Sequence, residues 1–149
     1  MNLVKGDKAP NFEGLNQNGD KIKLSDYLGT KIVLYFYPRD NTPGCTAQAC
    51  NLKDNFKRLS SNAFKIIGIS NDSIKSHKKF QEKFNLPFDL IADEDKTIHE
   101  KYGTWVEKSM YGRQYMGTAR WTFIIDKKGT IINIIEKVKT KDHTNQILG

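Results

Sequence analysis

The chain has 149 residues, of which 38% are hydrophobic and 28% charged, with a formal net charge of +7. That balance fits one globular domain over 1–149, and no apolar run approaches the roughly 20 residues a membrane span needs. The opening Met1-Asn2-Leu3-Val4-Lys5-Gly6-Asp7 has no signal-peptide core, so the expected location is cytoplasmic.

In chain order, Asn18-Gly19 is a turn dipeptide between Asn11–Leu15 and Lys21–Leu24, which predicts an N-terminal β-hairpin. Ser25 is placed to cap a short turn closed by Gly29. The apolar run Ile32–Tyr37 reads as a buried strand, and Cys45–Leu59, with Ala49, Leu52, Phe56 and Leu59 on one face, as a helix. Phe64–Ser70 is a β-branched strand. Ser73 caps a lysine-rich helix that ends near Phe84, with Pro87 at its exit. Lys75, Lys78, Lys79 and Lys83 have the spacing of a solvated face of that helix, and with only four arginines in the chain nucleic acid is not an expected partner.

A brief strand over Leu90–Ala92 and a short helix over Lys96–Tyr102 come next. Gly103–Gly117 reads as irregular, with Trp105, Tyr111 and Tyr115 partly exposed. Arg120–Asp126 and Thr130–Val138 form a hairpin around Lys127-Lys128-Gly129, and a last helix starts near Asp142. Strands alternating with helices make an α/β fold with a central mixed β-sheet flanked by helices.

Both cysteines fall in one stretch, from Tyr37 to Cys50, where strand passes into helix. Cys45 occupies the first helical turn, where unpaired N–H groups and the helix dipole favour an anion. The reactive form of cysteine is the thiolate, so the segment points to redox chemistry. Thr42 is close enough to offer a hydroxyl to the sulfur or to an incoming oxygen. Pro43 suits the first turn, Gly44 leaves space beside the sulfur, and Pro38 ends the strand where it can shield it.

Residues five apart on an intact helix have Cα atoms roughly 8.5 Å apart and diverge by about 140°. A disulfide needs Cα atoms within about 7 Å. A bond between Cys45 and Cys50 therefore requires the first turns to unwind. His77, His99 and His143 lack metal-ligand spacing and are expected at the surface, and no second cysteine pair exists to complete a zinc site. No metal is expected.

The pattern Pro38-x-x-x-Thr42-x-x-Cys45, with Cys50 five residues on, resembles the active-site motif of peroxiredoxins, in particular the bacterioferritin-comigratory-protein or peroxiredoxin Q subgroup. Gly6–Phe12 resembles the family's opening strand, and Gly117–Arg120 with Thr122–Asp126 its later strand bearing the active-site arginine. The resemblance implies a thioredoxin-like fold. It makes Cys45 the peroxidatic cysteine, Cys50 the resolving one, Thr42 a peroxide ligand, Pro38 a shield, and Arg120 the group that stabilises the thiolate and polarises the O–O bond. It further implies an antioxidant thiol peroxidase acting on hydrogen peroxide and organic hydroperoxides, with no bound cofactor, recycled by thioredoxin or a similar dithiol protein, and monomeric. Trp121, Gln48 and Lys53 depart from the usual family pattern. An alternative from another class is a redox sensor or holdase that uses the same disulfide as a switch. A dithiol reductase is disfavoured, because such enzymes carry a C-x-x-C pair.

Overall fold

A computed structural model describes residues 2–149. Its elements, in order, are β1 (Glu13–Leu15), β2 (Lys21–Lys23), a 3-10 turn (Leu24–Tyr27), β3 (Lys31–Phe36), α1 (Pro43–Asp54), α2 (Phe56–Ser61) and β4 (Phe64–Ser70). There follow α3 (Ile74–Phe84), β5 (Asp89–Ala92), α4 (Thr97–Tyr102), β6 (Trp105–Met110), β7 (Arg113–Thr118), β8 (Thr122–Ile125), β9 (Ile131–Ile135) and α5 (His143–Leu148).

Seven strands form one mixed sheet in the order β2-β1-β5-β4-β3-β8-β9. At its centre β3 runs parallel to β4 and antiparallel to β8. A strand there is covered on both faces, which is why Lys31–Phe36 is a continuous apolar run rather than an alternating one. Alternate residues still separate by side. Val33, Tyr35 and Tyr37 pack with Cys45, Ala49 and Leu52 of α1, Leu59 of α2, Phe80 of α3 and Ile147 of α5. Ile32, Leu34 and Phe36 pack on the other side with Phe12, Leu24, Ile98 and Tyr102. Each such side chain, fully buried, contributes about 1.5–3 kcal/mol.

The helices begin as their first residues dictate. Ser73 accepts a hydrogen bond from Ser76 N at 3.1 Å to start α3, and Asn85 ends it at φ 51° in the left-handed region. The lysine face of α3 is exposed while His77 and Phe80 are buried. α1 has Pro43 in its first turn and extended Thr42 before it.

Several elements differ from the sequence reading. The expected single helix over Cys45–Leu59 is broken at Asn55, φ −108° and ψ 17°, into α1 and α2. Ser25 does not cap its turn; the turn starts from Lys23, whose N–H is accepted by Asp26 at 3.3 Å. The opening segment is not a strand but an extended arm held by the bridge Lys8↔Thr130 and by bonds from Gly6 and Ala9 to Ile131 and Gly129. Gly103–Gly117 is not irregular. It carries the separate hairpin β6–β7, turned by Tyr111 (φ 53°) and Gly112 (φ 75°), the two positive φ values of a tight hairpin loop. Tyr111, Tyr115, Met110 and Met116 are exposed there.

The three histidines are not at the surface: all are buried and hydrogen-bonded on both ring nitrogens. Five of their seven partners lie 14 to 40 positions away in the chain, so local spacing carried little sign of them.

α1 and α5 are clasped together beside Cys50. Asn51 Oδ1 accepts from Thr144 N and Thr144 Oγ1, each at 2.8 Å, and Asn51 Nδ2 donates to Lys141 O at 3.0 Å.

Candidate active site

Buried Tyr37 ends the central β3 segment, and the chain then turns through Pro38–Thr42 into α1. Asp40 fixes this loop. It accepts from Tyr37 Oη at 2.6 Å and Ser76 Oγ at 2.7 Å, and its second partner on α3 is His77 Nδ1 at 2.7 Å. His77 Nε2 lies 3.0 Å from the carbonyl of Ile91, which can only accept. Asp40 N donates to Asp72 at 2.8 Å. Burial, followed by the charge of Asp40, pushes the Tyr37 phenol well above its usual range. Asp40, Asp72 and His77 are close enough together to hold a metal ion. Their inward atoms are already engaged with one another and with Ser70 and Ser76, so the group reads as a brace.

The loop delivers Cys45, buried, to the first turn of α1. Arg120 reaches it from the loop before β8, with Nη2 3.3 Å from Cys45 Sγ and Nη1 donating to Gln48 Oε1 at 2.9 Å. One guanidinium thus holds the sulfur and a neutral amide, and among the described residues no carboxylate forms an ion pair with it. A Cβ on Gly44 would stand 3.2 Å from Arg120 Nη2, so a larger residue there would push the guanidinium from the sulfur.

Arg120 is itself braced. Thr118 and Thr122, two residues to either side, are held by buried histidines: His99 Nε2 on Thr118 Oγ1 at 2.9 Å, and His143 Nε2 on Thr122 Oγ1 at 2.8 Å. His99 is anchored in turn by Asp93 at 2.6 Å and His143 by Gln146 at 2.8 Å. Burial, with the Arg120 charge adding to it, pushes the His143 pKa below its ordinary value.

Lys108 on β6 is half-buried, and its stem crosses Gly117, where a Cβ would come 3.2 Å from Lys108 Cδ. Burial and then the Arg120 charge lower its pKa, while the Cys45 thiolate acts in the opposite sense.

Of the residues singled out from sequence, Cys45 and Arg120 are brought into contact. Arg120 stands in a loop rather than on the expected strand. Pro38 is half-buried at the end of the β3 segment. Thr42 turns its hydroxyl onto the carbonyl of Arg39 at 2.9 Å and makes no hydrogen bond to the sulfur in this state. Cys45 and Cys50 are both free thiols on one unbroken helix. Sequence reasoning noted Gln48 only as a departure from a pattern, passed over Tyr35 and Lys108, and expected His99 and His143 at the surface, where the structure buries them. The threonines flanking Arg120 were the visible sign that something holds that loop.

The chain and its fold have known counterparts. Residues 5–134 match the AhpC/TSA family. The chain is 46% identical to peroxiredoxin Bcp of Bacillus subtilis, covering 99% of this chain and 94% of that one. It is 41% identical to peroxiredoxin Bcp of Escherichia coli K12, covering 99% and 96%. Among solved structures it is similar to a cysteine-to-serine mutant of PrxQ from Xylella fastidiosa, with TM-score 0.92 and 30% identity over 99% of this chain and 94% of that one. It is also similar to peroxiredoxin Q of Xanthomonas campestris, with TM-score 0.86 and 33% identity over 92% and 87%.

Proposed function

The chain belongs to the AhpC/TSA family and has the thioredoxin-like fold of its peroxiredoxins, and from that premise we propose which of its residues carry the thiol peroxidase reaction. Cys45 is the attacking thiol. The observation that supports this is its place on the first turn of α1 with the Arg120 guanidinium 3.3 Å from the sulfur. The thiolate attacks the terminal oxygen of the peroxide, an S–O bond forms as the O–O bond breaks, and the departing hydroxide or alkoxide takes up a proton. Arg120 and the N–H groups of the first turn stabilise the charge that passes through this centre. Pro38 and Thr42 line the approach, Thr42 turning from Arg39 to the peroxide when substrate enters.

Cys50 resolves the sulfenic acid. On intact α1 the two side chains point apart, so the first turns unwind before the Cys45–Cys50 disulfide forms. Thioredoxin or a similar dithiol protein then returns both thiols by exchange. The chemistry is carried by protein thiols, with no bound cofactor or metal, in a single 1–149 domain acting as a monomer in the cytoplasm. Among the described residues, no helix is long and apolar enough to cross a membrane.

The test is peroxide consumption with thioredoxin, its reductase and NADPH. Wild type turns over, Cys45→Ser does not, and Cys50→Ser performs one oxidation and stops. Full activity in Cys45→Ser would overturn the assignment.

A further inference from the structure

Two buried side-chain polar atoms have no hydrogen-bond partner among the described residues: the Tyr35 hydroxyl and Nε2 of Gln48. Gln48 lies beside Cys45, and Tyr35 belongs to the buried cluster that holds it. Gln48 follows it by three positions on α1 and so shares its helix face. Arg120 touches both, giving Nη1 to Gln48 Oε1 and Nη2 to Cys45 Sγ. That bond fixes the amide: its oxygen is taken, and its NH2 group is left over. Tyr35 arrives from the sheet and packs in the same buried cluster as Cys45. Its ring lies against Gly68 of β4, where a Cβ would come within 2.9 Å of Tyr35 Cζ. Of the charges that bear on its hydroxyl, that of Cys45 is the foremost, followed by Asp40, Arg120 and Cys50.

Leaving a buried polar group unpaired costs stability, and folded proteins do so rarely. Two such groups among the residues packed around one reactive atom fit a partner that arrives there in the reaction. In the reaction the sulfur gives up two electrons to the peroxide and gains an oxygen, while the leaving group takes its proton from solvent. We propose that Tyr35 Oη and Gln48 Nε2 donate hydrogen bonds to the oxygen of the Cys45 sulfenic acid, and so hold it within folded α1 until the helix opens to Cys50. The inference rests on Cys45 being the attacking thiol.

Tyr35→Phe tests it, because the ring and its packing are kept. One equivalent of hydrogen peroxide is mixed with the reduced protein, and the sulfenic acid is trapped with dimedone at successive times and counted by mass spectrometry. Tyr35→Phe is expected to convert sulfenic acid to disulfide roughly three- to ten-fold faster than wild type, the effect of one hydrogen bond. The reduced variant melts at the wild-type temperature or above, since its lost hydroxyl had no partner. In a Cys50→Ser background the sulfenic form melts above the reduced form, and Tyr35→Phe narrows that gap. An unchanged conversion rate, or a reduced variant that melts lower than wild type, overturns the proposal. Failure of the premise looks different: wild type then forms no dimedone adduct at Cys45, and both readings fall together.

Discussion

Two buried polar clusters flank the loop from β3 to α1, and they are filled to different degrees. Around Asp40 every inward atom has a partner: Tyr37, Ser76 and His77 on the carboxylate, Asp72 on the backbone N–H, and the Ile91 carbonyl on the far side of His77. Around Cys45 the count falls short. Arg120 bridges sulfur and amide, Tyr35 Oη and Gln48 Nε2 are unpaired, and half-buried Lys108 pairs with no carboxylate among the described residues. A saturated cluster holds a loop in one place. An unsaturated one keeps capacity for charge and oxygen that appear only during reaction. On the proposed assignment, the first cluster places the sulfur and the second lets it react.

The sharpest test of this division is Asp40→Ala, which strands a buried histidine and should lower the unfolding free energy by about 3–5 kcal/mol. Urea denaturation measures it, while the peroxide rate per folded molecule should change far less. Arg120→Met reverses the pattern. The rate of Cys45 oxidation in stopped-flow mixing should fall about 100-fold, as expected for loss of one charged stabilising group, while stability falls by about 1–3 kcal/mol for the buried Gln48 oxygen left unpaired, less than Asp40→Ala costs.

Asn51→Ala acts on the next step, because its clasp on Thr144 and Lys141 must open if α1 is to unwind. Losing it should speed disulfide formation about ten-fold and leave the preceding oxidation alone. The smallest effect lies in the pH profile. The unfolded chain protonates His143 near its ordinary pKa of 6.5, while the folded chain keeps it neutral to lower pH. The contribution of neutral, buried His143 to stability is therefore complete above about pH 6.5 and declines as pH falls below it. His143→Gln should flatten that decline in urea midpoints taken from pH 8 to pH 5.

Much of this was legible in the chain. The buried strand Ile32–Tyr37, the placement of Cys45 on a first helical turn, the Ser73 cap and the N-terminal hairpin all follow from local residue type and spacing, which is where backbone preferences act. The hairpin β6–β7 was not, because its strands pair only with each other and carry exposed side chains, so no apolar alternation marks them. Tyr111-Gly112 was the one turn signal, and tyrosine at positive φ is not a residue that announces a turn. The histidines were misplaced for another reason. Their burial depends on Asp40, Asp93, Thr118 and Thr122, and all of these but Asp93 lie 19 or more positions from the histidine they hold. The Cys45–Arg120 contact spans 75 positions and was reached through resemblance rather than periodicity.

The break at Asn55 gives the redox cycle a boundary. Helix melting is cooperative, so disorder starting at Cys45 on one long helix would tend to travel toward Leu59, which is buried in the core. With α1 ending at Asp54, the backbone bonds beyond Asn55 belong to a different segment, and α2 with its Leu59 anchor forms a stop. The sheet can keep one half of its cover in place while the other half is spent and rebuilt at each turnover. With α1 unwinding as proposed, the disorder is confined to the twelve residues of that helix.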